Sequence, residues 1–255
     1  MRTAASGLSV DGPALGRGDG GAHGQARASD HGAAPTARTG LHAAKAHALR
    51  LPPRPTQGSR ISTAAVAGSK KKLADEQRTL VVIDETGLSV QPHVARQWAP
   101  RGQTPELRRH AGREHTSFLT ALTVTPNRHY GMHFLGQREA FTALTCRAVV
   151  EELQRRLRRP LLVLWDNLRA HHAAERAFKA TAPRPDRIDF AYFPPYSPWL
   201  DPAEFLFANI KSRRLAQFCP KSHDELDVVA SRHFAQARRD PSLIRACFQH
   251  AQLNL

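Results

Sequence analysis

Thr79-Leu-Val-Val-Ile-Asp-Glu-Thr86 is a β-branched, nearly continuous apolar run that closes on two carboxylates. That is the pattern of a strand buried on both faces. A second run of the same kind, Leu161-Leu-Val-Leu-Trp-Asp-Asn167, also ends in an aspartate. Between them, segments 115–124 and 129–136 flank Pro126-Asn127-Arg128 and read as a β-hairpin. Residues 142–159 read as a helix, with Cys146, Val149, Val150, Leu153 and Leu157 at helical spacing, basic residues in the last turn and Pro160 as the stop. A long helical crossover lets strands 79–84 and 161–166 lie parallel and adjacent, joined right-handedly. Asp84 and Asp166 then stand side by side at the carboxyl ends of the sheet.

The rest of the chain extends this order. A short helix over 170–180 leads to a strand over 187–194. Asp201 opens a further helix, Ser222-His-Asp-Glu225 opens another that runs to Ala237, and 241–253 reads as the last. Residues 1–76 differ in texture: they hold eleven of the 16 Gly and no Phe, Tyr or Trp. Such a segment buries too little apolar surface to offset its ordering entropy, and it is expected to be mostly disordered, a low-complexity or mis-framed leader with a weak helical piece at Leu41–Leu51. The expected organisation is this leader, a folded domain over 77–238 and a helical tail over 239–255.

Composition narrows the function. With 37 Lys+Arg against 22 Asp+Glu, the formal net charge is +15, which favours a polyanionic partner, nucleic acid above all. Cysteines 146, 219 and 247 form no Cys-x-x-Cys pair, so the sequence suggests neither a zinc knuckle nor a disulfide framework. No stretch approaches the roughly 20 apolar residues of a membrane helix, and the first 30 residues lack a signal-peptide core. A cytoplasmic protein without membrane association is expected.

Carboxylates at the ends of adjacent buried strands are costly to desolvate unless a cation or donor compensates them. Oxygen ligands suit Mg²⁺, and a third carboxylate from the following helix, Glu204, would complete a site for two ions about 3.5–4 Å apart. Each residue also has a plain structural reading. Asp84 and Glu85 can end a strand ahead of Gly87, Asp166-Asn167 can cap a helix, and Asp201-Pro-Ala-Glu204 has the form of an N-cap, an N1 proline and a capping-box acid. What favours the metal reading is their joint occurrence, in this order, in a strongly basic chain.

Four segments carry a family resemblance: Asp84 after Val-Val-Ile, Trp98-Ala-Pro-Arg-Gly-Gln-Thr-Pro105, Asp166-Asn167-Leu-Arg-Ala-His171, and Phe193-Pro-Pro-Tyr-Ser-Pro-Trp-Leu-Asp-Pro-Ala-Glu204. Over roughly residues 78–235 the chain resembles the catalytic domain of bacterial insertion-sequence transposases related to mariner. That resemblance implies a ribonuclease H-like α/β fold, a mixed sheet flanked by helices. It implies an Asp84, Asp166, Glu204 triad holding two Mg²⁺ or Mn²⁺ ions, with Asn167 and His171 lining the site. The activity implied is phosphodiester hydrolysis and strand transfer at transposon ends, the partners are transposon-end and target double-stranded DNA, and the working form is a homodimer. The chain departs from the family's pattern in three places. Asp201 stands where the family has Asn and adds a competing carboxylate, Phe207 replaces a Trp, and residues 1–76 do not resemble the family's end-reading helix-turn-helix modules. The last departure supports an alternative, a remnant that binds DNA or the full-length enzyme without cutting.

Supporting roles follow from position. Lys211 lies seven residues after Glu204, on the same helical face, within reach of a phosphate. Arg108, Arg109 and Arg113 precede strand 115–124 and are placed for backbone contact with DNA. Arg155, Arg156, Arg158 and Arg159 read as a solvated helix end, and Trp98 as a packing residue in a hairpin arm. His171 has a bland alternative, an exposed histidine in the first turn of a helix.

Overall fold

The computed structural model describes residues 41–43, 73, 75–95, 98–101, 103, 106–107, 112–181 and 187–253. The remaining expectations for 1–76, and Arg108 and Arg109, lie outside the described residues. The chain divides into two compact units, 1–45 with 96–106, and 46–95 with 107–255. In the first, β1 (Leu41–Ala43) pairs antiparallel with β3 (Trp98–Pro100). Two expectations fail here. Leu41–Ala43 is a strand, with its backbone paired to β3, and does not begin a helix. Trp98 is 70% exposed, whereas Ala99 is buried, because strand alternation turns the indole outward.

The second unit holds one five-stranded mixed sheet in the order β5-β4-β2-β6-β7. Its strands are β2 (Thr79–Ser89), β4 (His115–Val124), β5 (Tyr130–Gln137), β6 (Leu161–Trp165) and β7 (Ile188–Tyr192). The β2–β4–β5 portion is antiparallel, while β2–β6 and β6–β7 are parallel. Its helices are α1 (Ala143–Leu157), α2 (Arg169–Thr181), α3 (Pro202–Asn209), α4 (His223–Arg238) and α5 (Pro241–His250), with a π turn over Ile210–Arg214 after α3. The fold is ribonuclease H-like, as the sequence suggested.

The two faces of the sheet explain the continuous apolar runs. Leu80, Val82, Leu162 and Leu164 face one core with α3, α4 and α5. Val81, Ile83, Val163 and Trp165 face the other with α1 and α2. A strand covered on both sides needs apolar residues at every position. In the first core Phe118 stacks on Phe234 at 4.3 Å, and α5 contributes Ile244, Cys247 and Phe248, so the segment after 239 packs against the rest of the unit. Leu73 joins the same core.

Local signals are met in detail. Thr125 accepts the Arg128 N–H at 2.8 Å across Pro126-Asn127, closing the expected hairpin turn. Helix α1 is opened by a reciprocal cap between Thr142 and Thr145, and it ends at Arg158 in the left-handed conformation, two residues ahead of the proline expected to stop it. Thr142→Ala removes the cap, and is expected to lower stability by about 1 kcal/mol. The melting temperature should then fall by roughly 2–4 °C in a domain of this size. An unchanged melting curve would show that the cap contributes nothing.

Candidate active site

Strand β2 does not stop at its carboxylates, as their plain structural reading would have it. It runs on through Gly87 to Ser89 because β4 continues to pair with it, Asp84 opposite Thr120 and Ser89 opposite His115. The parallel β2–β6 register ends at Val82 opposite Leu164, so two further residues along each chain stand Asp84 and Asp166. Alternation then separates two neighbours. Asp84 shares the parity of Leu80 and Val82, toward α3, while Glu85 shares that of Val81 and Ile83, toward α1 and α2.

On the α3 side carboxylates gather. Burial, and next the negative charge of Asp201, push the Asp84 carboxyl up to about 9; Glu204 and Glu85 add to this, and a 2.8 Å bond from the Glu85 N–H opposes it. Asp201 is buried and caps α3 by accepting from the Ala203 N–H at 2.7 Å. Its own carboxyl is pushed up to about 8, chiefly by burial, with Glu204, Asp166 and Glu85 adding. The Asp201 N–H bonds the Pro198 carbonyl, so Glu204 closes no capping box and stands exposed in the first turn of α3. Lys211, in the π turn, is half-buried near Glu204 and Asp84. Burial lowers its pKa, and the two carboxylates oppose that.

On the other side of β2 lies His171, which is only 1% exposed and so is not the surface histidine of the bland reading. Its Nδ1 meets Asp166 Oδ1 at 2.7 Å and its Nε2 meets Glu85 Oε1 at 3.0 Å, while its ring stacks on Trp165 at 4.6 Å. Burial works against its charge. Bonds to Asp166, Cys146 and Glu85 outweigh this and push it up to about 12. The same contact works on Asp166: burial raises its pKa, but bonds from His171 and from the Leu168 N–H hold it below the usual carboxylate range. Asn167 donates through Nδ2 to the Phe193 carbonyl, tying the end of β6 to the start of the Pro194–Pro202 loop.

Glu85 and Cys146 were not singled out by sequence reasoning. The signal was available, since a carboxylate following Asp84 on a strand must face the opposite layer. Arg113 is exposed, and His172 is half-buried with its ring 4.2 Å from Tyr192. The helix-end arginines are partly paired, Arg155 and Arg156 both bonding Glu152.

Residues 79–227, more than half of the chain, match the family model described as DDE superfamily endonuclease. The chain belongs to that family. The matched span of this DDE endonuclease domain runs from the start of β2 into α4 and includes Asp84, Asp166 and Glu204. Among solved structures, the chain is similar to the Mos1 mariner paired-end complex with Mn, at 17% identity and a TM-score of 0.53, over 79% of this chain and 62% of that one. It is similar to the Mos1 Strand Transfer Complex at 18% identity and a TM-score of 0.50, over 75% and 56% of the two chains. The Mos1 mariner paired-end complex with Mg gives 20% identity and a TM-score of 0.50, over 75% and 57%. At such identities the likeness is one of fold, and the chain spans less than two thirds of those chains. No curated protein matches it. Among the described residues, no helix is long and apolar enough to cross a membrane.

Proposed function

We propose that this chain is the catalytic domain of a DNA transposase of the bacterial insertion-sequence, mariner-related kind, acting on transposon-end and target double-stranded DNA as a homodimer. The observation that carries the reading is the crowd of carboxylates about half-buried Asp84, whose proton is held to about 9 by burial and by its acidic neighbours. Hard oxygen donors brought together against their own repulsion suit Mg²⁺ or Mn²⁺. Asp84, Asp166 and Glu204 would hold two such ions, which when bound would activate the attacking oxygen and stabilise the leaving one in an in-line displacement at phosphorus. The Mos1 complexes with Mn and with Mg agree with that choice of ion.

The chain's own residues do the positioning. Asp201 caps α3 and so fixes the first turn that carries Glu204. His171 fixes the Asp166 carboxylate from behind, and Asn167 holds the Pro-rich loop against β6. Lys211, near Glu204 and Asp84, would meet a phosphate oxygen at the site, and exposed Arg113 the DNA backbone; Arg108 and Arg109, outside the described residues, are proposed for the same backbone contact from the sequence.

Purified protein with Mn²⁺ or Mg²⁺ should nick or join a labelled terminal-repeat duplex, and Asp166→Asn should abolish this. Activity that survives Asp166→Asn would overturn the assignment, and duplex binding without cleavage by the unmutated chain would favour the non-cutting remnant. Arg113→Ala should weaken binding to all duplex sequences alike and reduce the slope of log K against log salt by about 1. A sequence-dependent loss would instead make Arg113 a base reader.

A further inference from the structure

On the α1 and α2 side of β2, away from Asp84, three different donors converge. Cys146 Sγ lies 3.5 Å from Glu85 Oε1, and His171 Nε2 lies 3.0 Å from the same oxygen. The sulfur, the nitrogen and a carboxylate oxygen all lie within 4.8 Å of one another. A tetrahedral zinc ion with ordinary bond lengths would set its N···O edge at about 3.3 Å and its S···O edge at about 3.6 Å. The donors already stand within a few tenths of an ångström of those edges.

We propose that Glu85, Cys146 and His171 form a binding site for one thiophilic divalent cation of the Zn²⁺ class. Three further observations support it. The other nitrogen of His171 is bonded to Asp166, and a carboxylate on the far side of a ligating imidazole is the usual device that fixes its tautomer and orientation. The ring is held in place by its stack on Trp165. An open cavity lined by these three residues with Gly87, Phe141 and Leu168 gives the ion a route in and leaves a fourth position for water. The mixed nitrogen, oxygen and sulfur set separates this site from the all-carboxylate side, which suits harder ions. Binding displaces the Nε2 proton of His171 and the thiol proton of Cys146 to solvent, and the His171–Asp166 bond stays as it is.

Cobalt(II) is the probe, because a thiolate bound to it gives a charge-transfer band in the near ultraviolet. The full chain titrated with Co²⁺ should develop that band to a stoichiometry of one, and added Zn²⁺ should remove it. Cys146→Ser and Glu85→Gln should each weaken Co²⁺ binding at least tenfold, whereas Cys219→Ser should leave it unchanged. Asp84→Asn should keep the band while losing the proposed cleavage, so the two readings fail separately. No band at one equivalent, or a band that survives Cys146→Ser in a variant whose circular dichroism matches the parent, would overturn the proposal.

Discussion

Asp84→Asn is expected to make the metal-free protein more stable while abolishing the proposed cleavage. Asp84 is half-buried near Asp201, Glu204 and Glu85, and desolvation and their charge raise its pKa to about 9. An amide of the same shape removes the repulsion and keeps an acceptor for the Glu85 N–H. A gain of about 2 kcal/mol is expected, of the size typical when a site shaped for function is relieved of charge. That corresponds to a rise of roughly 4–8 °C in melting temperature.

The sign of the pH dependence follows from the raised pKa. In the unfolded chain Asp84 ionises near 3.9, but in the folded chain it holds its proton to about 9. Between those values the folded state binds more protons, so stability falls as pH rises through the window. Asp201, raised to about 8, acts in the same direction. The advantage of Asp84→Asn should therefore be small near pH 5 and large near pH 8.5, read by chemical denaturation in chelator. Added Mg²⁺ should stabilise the unmutated chain and not the variant, since a ligand stabilises only what binds it. A variant less stable than its parent at pH 8.5, or an advantage equal at both pH values, would contradict the charge crowding.

The parallel pairing of β2 with β6 was legible because two apolar runs of the right length bracketed a helical crossover, and that pairing alone brings Asp84 and Asp166 together. The further course of β2 to Ser89 was not legible. It depends on β4 pairing across Glu85, Thr86 and Gly87, which is a tertiary fact that local turn signals oppose. Trp98 misled for a related reason, since an aromatic residue in a short strand has two faces to choose from and only the fold decides. For Glu204 spacing alone gave a capping-box acid, and the ordered company of Asp84 and Asp166 favoured a ligand. The structure gives the Asp201 N–H to Pro198, which leaves Glu204 without that capping bond. The resemblance implied that His171 lines the site, with an exposed first-turn histidine as the alternative; its burial between two carboxylates was not legible, because it depends on Glu85 facing the opposite layer from Asp84.

His171→Gln carries the other large effect. The substitution leaves Glu85 and Asp166 without the charge that bridges them, and breaking a buried pair typically costs about 3–5 kcal/mol. Glu85 is 18% exposed at its side chain and Asp166 42%, so water softens the loss and the low end, about 3 kcal/mol, is expected. The melting temperature should fall by roughly 6–12 °C. Here the pH slope is set by a histidine raised to about 12 from its usual 6.5. The stabilisation is present in full below about 6.5 and is lost as pH rises toward the folded value, because the unfolded histidine then gives up its proton first. The deficit of His171→Gln should thus be largest near pH 6 and shrink by pH 8.5, measured by denaturant titration at both. Relative to the parent, both variants gain stability as pH rises, the deficit of His171→Gln shrinking while the advantage of Asp84→Asn grows. A deficit that grows with pH would mean that His171 is neutral in the folded chain, and Glu85 and Asp166 would then need some other source of positive charge.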